Sequence, residues 1–349
     1  MYCIGEEILL HYHRHGRRKR SPRRLLVLLP LVVLVYVGIL LGVRVLGDRL
    51  EQSNTSETVG SLDGRFDTAD VTLEYGGRTW TYRGRSLTNL LLIGEDWNDG
   101  DGSPSRRYAG QADFLYLITF DRKNRSISTL QIDRDSITPI RIYGPFGDFT
   151  GVQELQICLA HAYGETDEDN CENTVWAVSH MLGGIPIDGY LALDMQSISL
   201  LNDALGGVTV TLEDDFSAFD PQMTQGTTLT LQGDQALYYV RGRMTVGDGT
   251  NAGRMRRQQT FITEAQKLLV QGLQNDPDYA DVLFDALDGH LTTDKKRSRL
   301  IDKAYECRDY TRTQTQTPAG EHVVGNDGYM EFYPDQDALN DYLITNYFE

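Results

Sequence analysis

Apolar and polar positions divide the chain into two unequal parts. Leu25–Val43 reads LLVLLPLVVLVYVGILLGV, an apolar run without a charge. It is close to the ~20 residues a helix needs to cross ~30 Å of hydrocarbon. Beyond it the pattern shortens and alternates. VTLEYGGRTWTYR, Val71–Arg83, alternates around Gly76-Gly77 and predicts a β-hairpin. LTNLLLIGED, Leu87–Asp96, predicts a buried strand running into a polar Asp/Gly loop. DFLYLITF, Asp113–Phe120, and SISTLQI, Ser126–Ile132, predict two more strands joined by a tight DRKNR turn. Helices are expected at about 153–163 and 171–182. A strand at Tyr190–Met195 leads into a helix near 196–205, which Gly206-Gly207 ends before the strand Val208–Leu212. GDQALYYVRGR and AGRMRRQQTFITEAQKLLVQGL predict two helices around a Gly-rich loop, and from about 308 the chain reads as extra strands and a final helix. This order is α/β: a layered α/β/α domain with a central mixed sheet, preceded by one transmembrane helix.

Charge sets the expected topology. RRKRSPRR stands immediately before the apolar run, and positive flanks stay in the cytoplasm. A cleaved signal would have a shorter apolar core followed by a small-x-small site, which Gly42-Val43-Arg44 does not supply. The expectation is a single-pass cell-membrane protein, its N-terminus cytoplasmic and its C-terminal domain extracellular. The expected divisions are a basic tail (1–24), a transmembrane helix (25–46), a flexible stalk (47–70), a β-hairpin segment (71–86), a main domain (87–275) and a C-terminal helical and β extension (276–349). The net charge is −17 although residues 1–24 are basic, so the outer part is strongly acidic. Nonspecific nucleic-acid binding, which rests on phosphate neutralisation, is excluded as a function class. Any anion site there must be a local basic cluster working against the global field. Cys158 and Cys171 flank an expected loop. They form either a disulfide, which an oxidising exterior permits, or two buried thiols. No CxxC pair or Cys/His spacing suggests zinc.

Four polar islands interrupt the apolar pattern. Gly94–Asp96 ends a buried strand, where ligands gather in open α/β sheets. Gly110–Asp113 enters the next strand. Asp96 and Asp113 either meet across adjacent strands to hold a hard cation such as Mg2+, which takes one or two carboxylates plus phosphate oxygens, or cap turns. In IDRDS, Ile132–Ser136, Arg134 follows a buried strand and needs a partner, Asp135 or a bound anion. The fourth island is basic: Arg241 and Arg243, then Arg254, Arg256, Arg257, Gln258 and Gln259. Arg254, Arg257 and Gln258 have the i, i+3, i+4 spacing of one helix face. Guanidinium forks near a helix N-terminus suit phosphate oxygens; the alternative is a solvated charged face.

At these islands the sequence resembles the LytR–CpsA–Psr family of bacterial wall enzymes. The matching pieces, in order, are NLLLIGED, GQADFLYLITF, ISTLQIDRDS, LAHAYG, GIPIDGYLALDM, LNDALGGVTVTL, LQGDQALYYVRGR and GRMRRQQ, spanning about 87–270. The resemblance implies an extracytoplasmic phosphotransferase that moves a glycopolymer from a polyprenyl-pyrophosphate carrier at the membrane to peptidoglycan. It implies Mg2+ on Asp96 and Asp113. It also implies a pyrophosphate grip by Arg134, Arg241, Arg243, Arg254 and Gln258; Arg257, from the same helix face, is expected to join the grip, and Arg134, Asp135, Arg241, Arg243 and Arg254 to serve catalysis. Two positions depart from the pattern: Gln111, where relatives commonly have arginine, and Asn251, where many have an aspartate. If that aspartate acts as a base, Asp248 or Asp135 must replace it. The alternatives are a noncatalytic or regulatory binder of lipid-linked wall precursors, and a pyrophosphatase in which water replaces the sugar hydroxyl.

Overall fold

The computed structural model describes residues 71–84, 86–96, 110–144 and 146–349. The expected basic tail, transmembrane helix and stalk lie outside the described residues. Among the described residues, no helix is long and apolar enough to cross a membrane.

The strands, in chain order, are β1 (Thr72–Tyr75), β2 (Arg78–Thr81), β3 (Leu87–Glu95), β4 (Ala112–Asp121), β5 (Ser126–Ile132), β6 (Ile137–Tyr143), β7 (Phe149–Gln156), β8 (Gly189–Leu193), β9 (Thr209–Thr211), β10 (Thr228–Thr230), β11 (Leu291–Thr293), β12 (Thr311–Arg312), β13 (Gly320–Val324) and β14 (Met330–Pro334). The helices are α1 (Asp167–Met181), α2 (Met195–Ala204), α3 (Asp234–Arg241), α4 (Asn251–Asn275), α5 (Tyr279–Ala286), α6 (Arg297–Cys307) and α7 (Gln336–Tyr347), with a 3-10 turn at Ile157–Ala162. A six-stranded mixed sheet runs β11-β8-β3-β4-β5-β12. β3 is antiparallel to β4 and parallel to β8. Both edge strands, β11 and β12, come from the segment after residue 275.

The sheet is covered on both faces, which is why β3 reads as one continuous apolar run. Leu90 and Leu92 pack with Tyr116, Ile118 and Phe120 under Phe261, Ala265 and Leu269 of α4. Leu91 and Ile93 point the other way, with Leu115 and Leu117, against Cys171, Ala177 and Val178 of α1. This period-two division produces the expected α/β/α layering. α1 starts at a capping box, Thr166 with Asp169. The β1–β2 turn carries Gly76 and Gly77 at φ +63° and +73°, the left-handed pair a two-residue hairpin demands.

Two expectations change. The helix expected at about 153–163 is instead the end of β7 followed by the 3-10 turn, because β6 supplies a long-range antiparallel partner, Ile137 opposite Gln156. Cys158 and Cys171 are free and buried, so the disulfide alternative gives way to two thiols.

The core also holds a pH-sensitive carboxylate. Burial pushes Asp188 up to about 6, opposed by the Asn89 backbone N–H and by Lys295. A folded value above the unfolded ~3.9 means that ionisation costs stability as pH rises from about 4 to 6. The cost reaches roughly 2–3 kcal/mol, since one pH unit is ~1.4 kcal/mol and partial exposure screens part of it. In urea unfolding, wild type should lose that much relative to Asp188→Asn between pH 4 and pH 7. Parallel pH profiles of the two proteins would remove Asp188 as the cause.

Candidate functional site

The candidate site lies where β3 and β4 meet the N-terminal turns of α2 and α4. A bulge at Gly94/Glu95 interrupts the β3–β4 ladder, a device that re-aims side chains at strand ends. A Cβ on Gly94 would stand 2.9 Å from that of Phe114, so only glycine lets the strands approach here. Asp96 N–H donates to Gln111 O at 2.9 Å, bringing the first two polar islands together. A cleft opens beneath them. Its walls are apolar, with Leu92, Phe114, Leu193, Ile198, Leu201 and Ile262, and Asp113, Arg241, Arg254 and Gln258 also line it.

Arg254 is the centre of the polar end. Its Nη1 donates to Asp113 Oδ2 at 2.7 Å, and its Nε and Nη2 donate to Asn251 Oδ1 at 3.1 and 2.7 Å. Arg134 also forms an ion pair with Asp113, and its Nε lies 3.4 Å from Asp135 Oδ1. Burial, and then the facing charges of Arg134 and Arg243, bring the Arg254 guanidinium down to about 10. Like charges gathered in a desolvated place are costly until an anion joins them. Asp113 Oδ1, Arg134 Nε, Asp135 Oδ2 and Arg243 Nε are all buried without a hydrogen bond. Burial and neighbouring Asp133 push the Asp135 carboxyl above the usual range, against the pull of Arg134, Arg243 and Arg254. A carboxylate with raised proton affinity is suited to accept a proton.

Most of the residues singled out in the sequence converge here. Arg241 is half exposed and pairs with Asp96 at 3.0 Å. Gln258 Oε1 accepts from Gln131 at 3.0 Å. Arg257 is placed apart: it binds Asp214 at 2.7 Å and the carbonyls of Tyr239 and Gly242. At 100° per residue, Arg257 and Gln258 diverge from the direction of Arg254 on opposite sides of α4. Only Gln258 reaches the cleft with Arg254. Asp248 is exposed and accepts from the N–H of Thr250, the residue that caps α4, at 2.9 Å.

The two departures from the family pattern have local roles. Gln111 Oε1 accepts from Arg134, and Asn251 bridges Arg254 to Asp133 through a 2.7 Å bond. Asp133 itself escaped the sequence reading. It is buried, accepts from Asp135 N–H at 2.9 Å, and meets His322 Nε2 of β13 at 2.9 Å. Its only sequence signal is a second acidic residue in IDRDS.

Asp96 and Asp113 fit a hard cation by donor type. Asp113 Oδ1 is paired with Arg134 and its Oδ2 with Arg254, so a cation would have to take the place of an arginine on one of them.

Fold and cleft together define a mixed-sheet α/β/α protein whose apolar cavity ends in an arginine cluster with Arg254 buried at its centre. The chain belongs to the LytR_cpsA_psr family, whose model matches residues 52–345. It is 29% identical over 262 residues to the polyisoprenyl-teichoic acid–peptidoglycan teichoic acid transferase TagU of Bacillus mycoides, covering 74% of this chain and 76% of that one. Among solved structures it resembles TagV of B. subtilis, with TM-score 0.57, 21% identity and coverage of 74% and 95% of the two chains. It also resembles TagT bound to LIIa-WTA, with TM-score 0.56, 22% identity and coverage of 75% and 90%.

Proposed function

We propose that this protein is an extracytoplasmic phosphotransferase that moves a glycopolymer from a polyprenyl-pyrophosphate carrier to peptidoglycan. The observation that carries the reading is the union of an apolar cleft with a crowded arginine cluster centred on buried Arg254. Together they match an amphiphile whose tail is hydrocarbon and whose head is a diphosphate. The transferase name of the TagU relative, with its polyisoprenyl-linked donor and peptidoglycan acceptor, supports the same substrate classes. Residues 25–46 would anchor the chain with its N-terminus in the cytoplasm, keeping the cleft beside the bilayer that holds the carrier.

Prenyl units would lie along Leu193, Ile198 and Leu201, while Arg134, Arg241, Arg243 and Arg254 grip phosphate oxygens and Gln258 supports them. A sugar hydroxyl of peptidoglycan attacks the phosphorus next to the glycan. The bond from that phosphorus to the bridging oxygen breaks, and polyprenyl phosphate leaves. Asp135 takes the hydroxyl proton, and the arginines stabilise the charge that develops on the departing phosphate. Asp96 and Asp113 would hold Mg2+, whose chemistry is neutralisation of phosphate charge. In the structure these carboxylates pair with Arg241 and with Arg134 and Arg254. Diphosphate would draw the arginines away and release the carboxylates.

The test uses the full chain in detergent with a polyprenyl-pyrophosphate glycan, peptidoglycan oligomers and Mg2+. A covalent glycan–peptidoglycan conjugate is expected. Free glycan phosphate without conjugate would identify a pyrophosphatase, and binding without turnover a noncatalytic binder; either overturns the proposal. In the same assay Asp96→Asn should lower the Mg2+-dependent rate by on the order of 10²-fold. Its melting temperature should hardly change, because the Asp96–Arg241 pair is solvent-exposed and worth about 1 kcal/mol or less. A large fall in stability would instead assign Asp96 a structural role.

Ile198→Lys probes the cleft. Each buried CH2 is worth ~0.8 kcal/mol, so wild type should prefer long prenyl chains over short ones. A lysine in the cleft should weaken long-chain donors by on the order of 10²-fold, from the cost of covering a charge with hydrocarbon. Short-chain donors should be affected much less. Equal losses on both would place the lipid elsewhere.

A further inference from the structure

Beside the arginine cluster, on the α1 side of the sheet, three potential ligands converge from separate elements. They are Glu95 at the end of β3, His161 in the 3-10 turn and Cys171 at the start of α1. Their donor atoms lie within 4.8 Å of one another, and His161 and Cys171 are fully buried. We propose that Glu95, His161 and Cys171 form a binding site for one divalent cation of the zinc type, separate from the hard-cation position at Asp96 and Asp113.

Hydrogen-bond accounting around His161 supports the assignment. The Thr174 hydroxyl donates its single proton to Asn170 O at 2.8 Å. Its oxygen therefore accepts from His161 Nδ1, 3.0 Å away, and Nδ1 carries the ring proton. In the neutral ring the Nε2 lone pair then faces the Glu95 carboxylate at 3.3 Å. Two acceptors facing each other in a buried place need a proton, on either partner, or a metal ion between them. The distance favours the metal. A charge-assisted N–H···O bond spans ~2.7–2.9 Å, and among the described residues the histidine–carboxylate contacts His290–Asp194 and His322–Asp133 measure 2.7 and 2.9 Å. Zinc–ligand bonds of ~2.0–2.2 Å at a tetrahedral angle place neighbouring N and O ligands roughly 3.4 Å apart.

The surroundings agree with the donors. Thr174 orients His161 as an outer-shell partner does, fixing tautomer and ring plane. Nitrogen and sulfur donors select a borderline-soft ion over Mg2+. Glu95 also lines the apolar cleft, which provides an entry path. On binding, the Cys171 thiol proton is released to solvent, so thiolate and carboxylate together balance the charge of the cation. The ion would pin the 3-10 turn and α1 against the end of β3. None of this depends on the transfer reaction.

The test is metal titration of the full chain, stripped with a chelator. It is made in a background carrying His11→Ala, His13→Ala and His15→Ala, which removes the N-terminal histidines as competing ligands. One equivalent of Zn2+ should bind. Co2+ should give a sulfur-to-cobalt charge-transfer band that Cys171→Ser abolishes with the fold intact. Thr174→Val should weaken Zn2+ binding by about 10–100-fold, the usual cost of losing an outer-shell partner, and His161→Gln by more. Absence of stoichiometric binding overturns the proposal, as does an unchanged cobalt spectrum in Cys171→Ser. An NMR spectrum showing His161 as imidazolium in metal-free and zinc-treated protein alike would identify a plain ion pair and also overturn it.

Discussion

Arg254→Ala should lower glycopolymer transfer by on the order of 10³-fold, the scale on which phosphoryl and acyl transfer lose rate when a charge-stabilising group is removed. Arg254 is buried, lines the cleft and faces Arg134 and Arg243. Its charge would be used most fully when phosphate oxygens carry the developing charge, so the loss should fall mainly on kcat. Arg254→Lys keeps a positive charge but loses the planar fork, and should fall between the two, about 10–10²-fold below wild type. Stability should change less than burial alone suggests. The alanine variant loses the 2.7 Å contact with Asp113, but it also removes a buried charge that two other guanidiniums oppose. Steady-state rates and thermal melts on the same samples separate these effects. Transfer within tenfold of wild type would refute the role assigned to Arg254.

Arg257→Ala, three residues along the same helix, should show the opposite balance. Its side chain is buried, donates to Asp214 and to two backbone carbonyls, and lies 5.4 Å from the Phe216 ring centroid. Removing it leaves a carboxylate and carbonyls without their donor and opens a void, which together cost about 3–5 kcal/mol. Urea unfolding should show the midpoint falling with little change in slope. Transfer per folded molecule should stay within a few-fold of wild type at low temperature. A stable Arg257→Ala protein with no activity would place Arg257 in the phosphate grip instead.

This contrast marks the limit of what the basic island reveals by itself. The i, i+3, i+4 spacing shows that Arg254, Arg257 and Gln258 lie near one another on a helix. It does not show which part of that arc faces a cavity and which faces α3. Asp214 and the backbone of Tyr239 and Gly242 make that choice, and they come from other segments of the chain. Similarly, the strands β3, β4 and β5 are legible because burial on both faces leaves long apolar runs. β6 and β7 are not, because their pairing is long-range and β7 is largely exposed and polar. Gln111 and Asn251 read as losses of charge in sequence, whereas in the fold each supplies a neutral acceptor to an arginine.

The sequence by itself determined the α/β order, the positions of the polar islands, the concentration of arginine in an acidic chain and, through its ordered motifs, the family. These are local properties, carried by periodicity, turn residues and composition. Only the tertiary structure decided that the arginines crowd around Asp113 at the end of an apolar cleft. It also decided that Asp133 links Asn251 to His322, and that Glu95, His161 and Cys171 meet. Those arrangements depend on pairings between distant segments, and the register and packing that create them leave no signal in any one stretch of sequence.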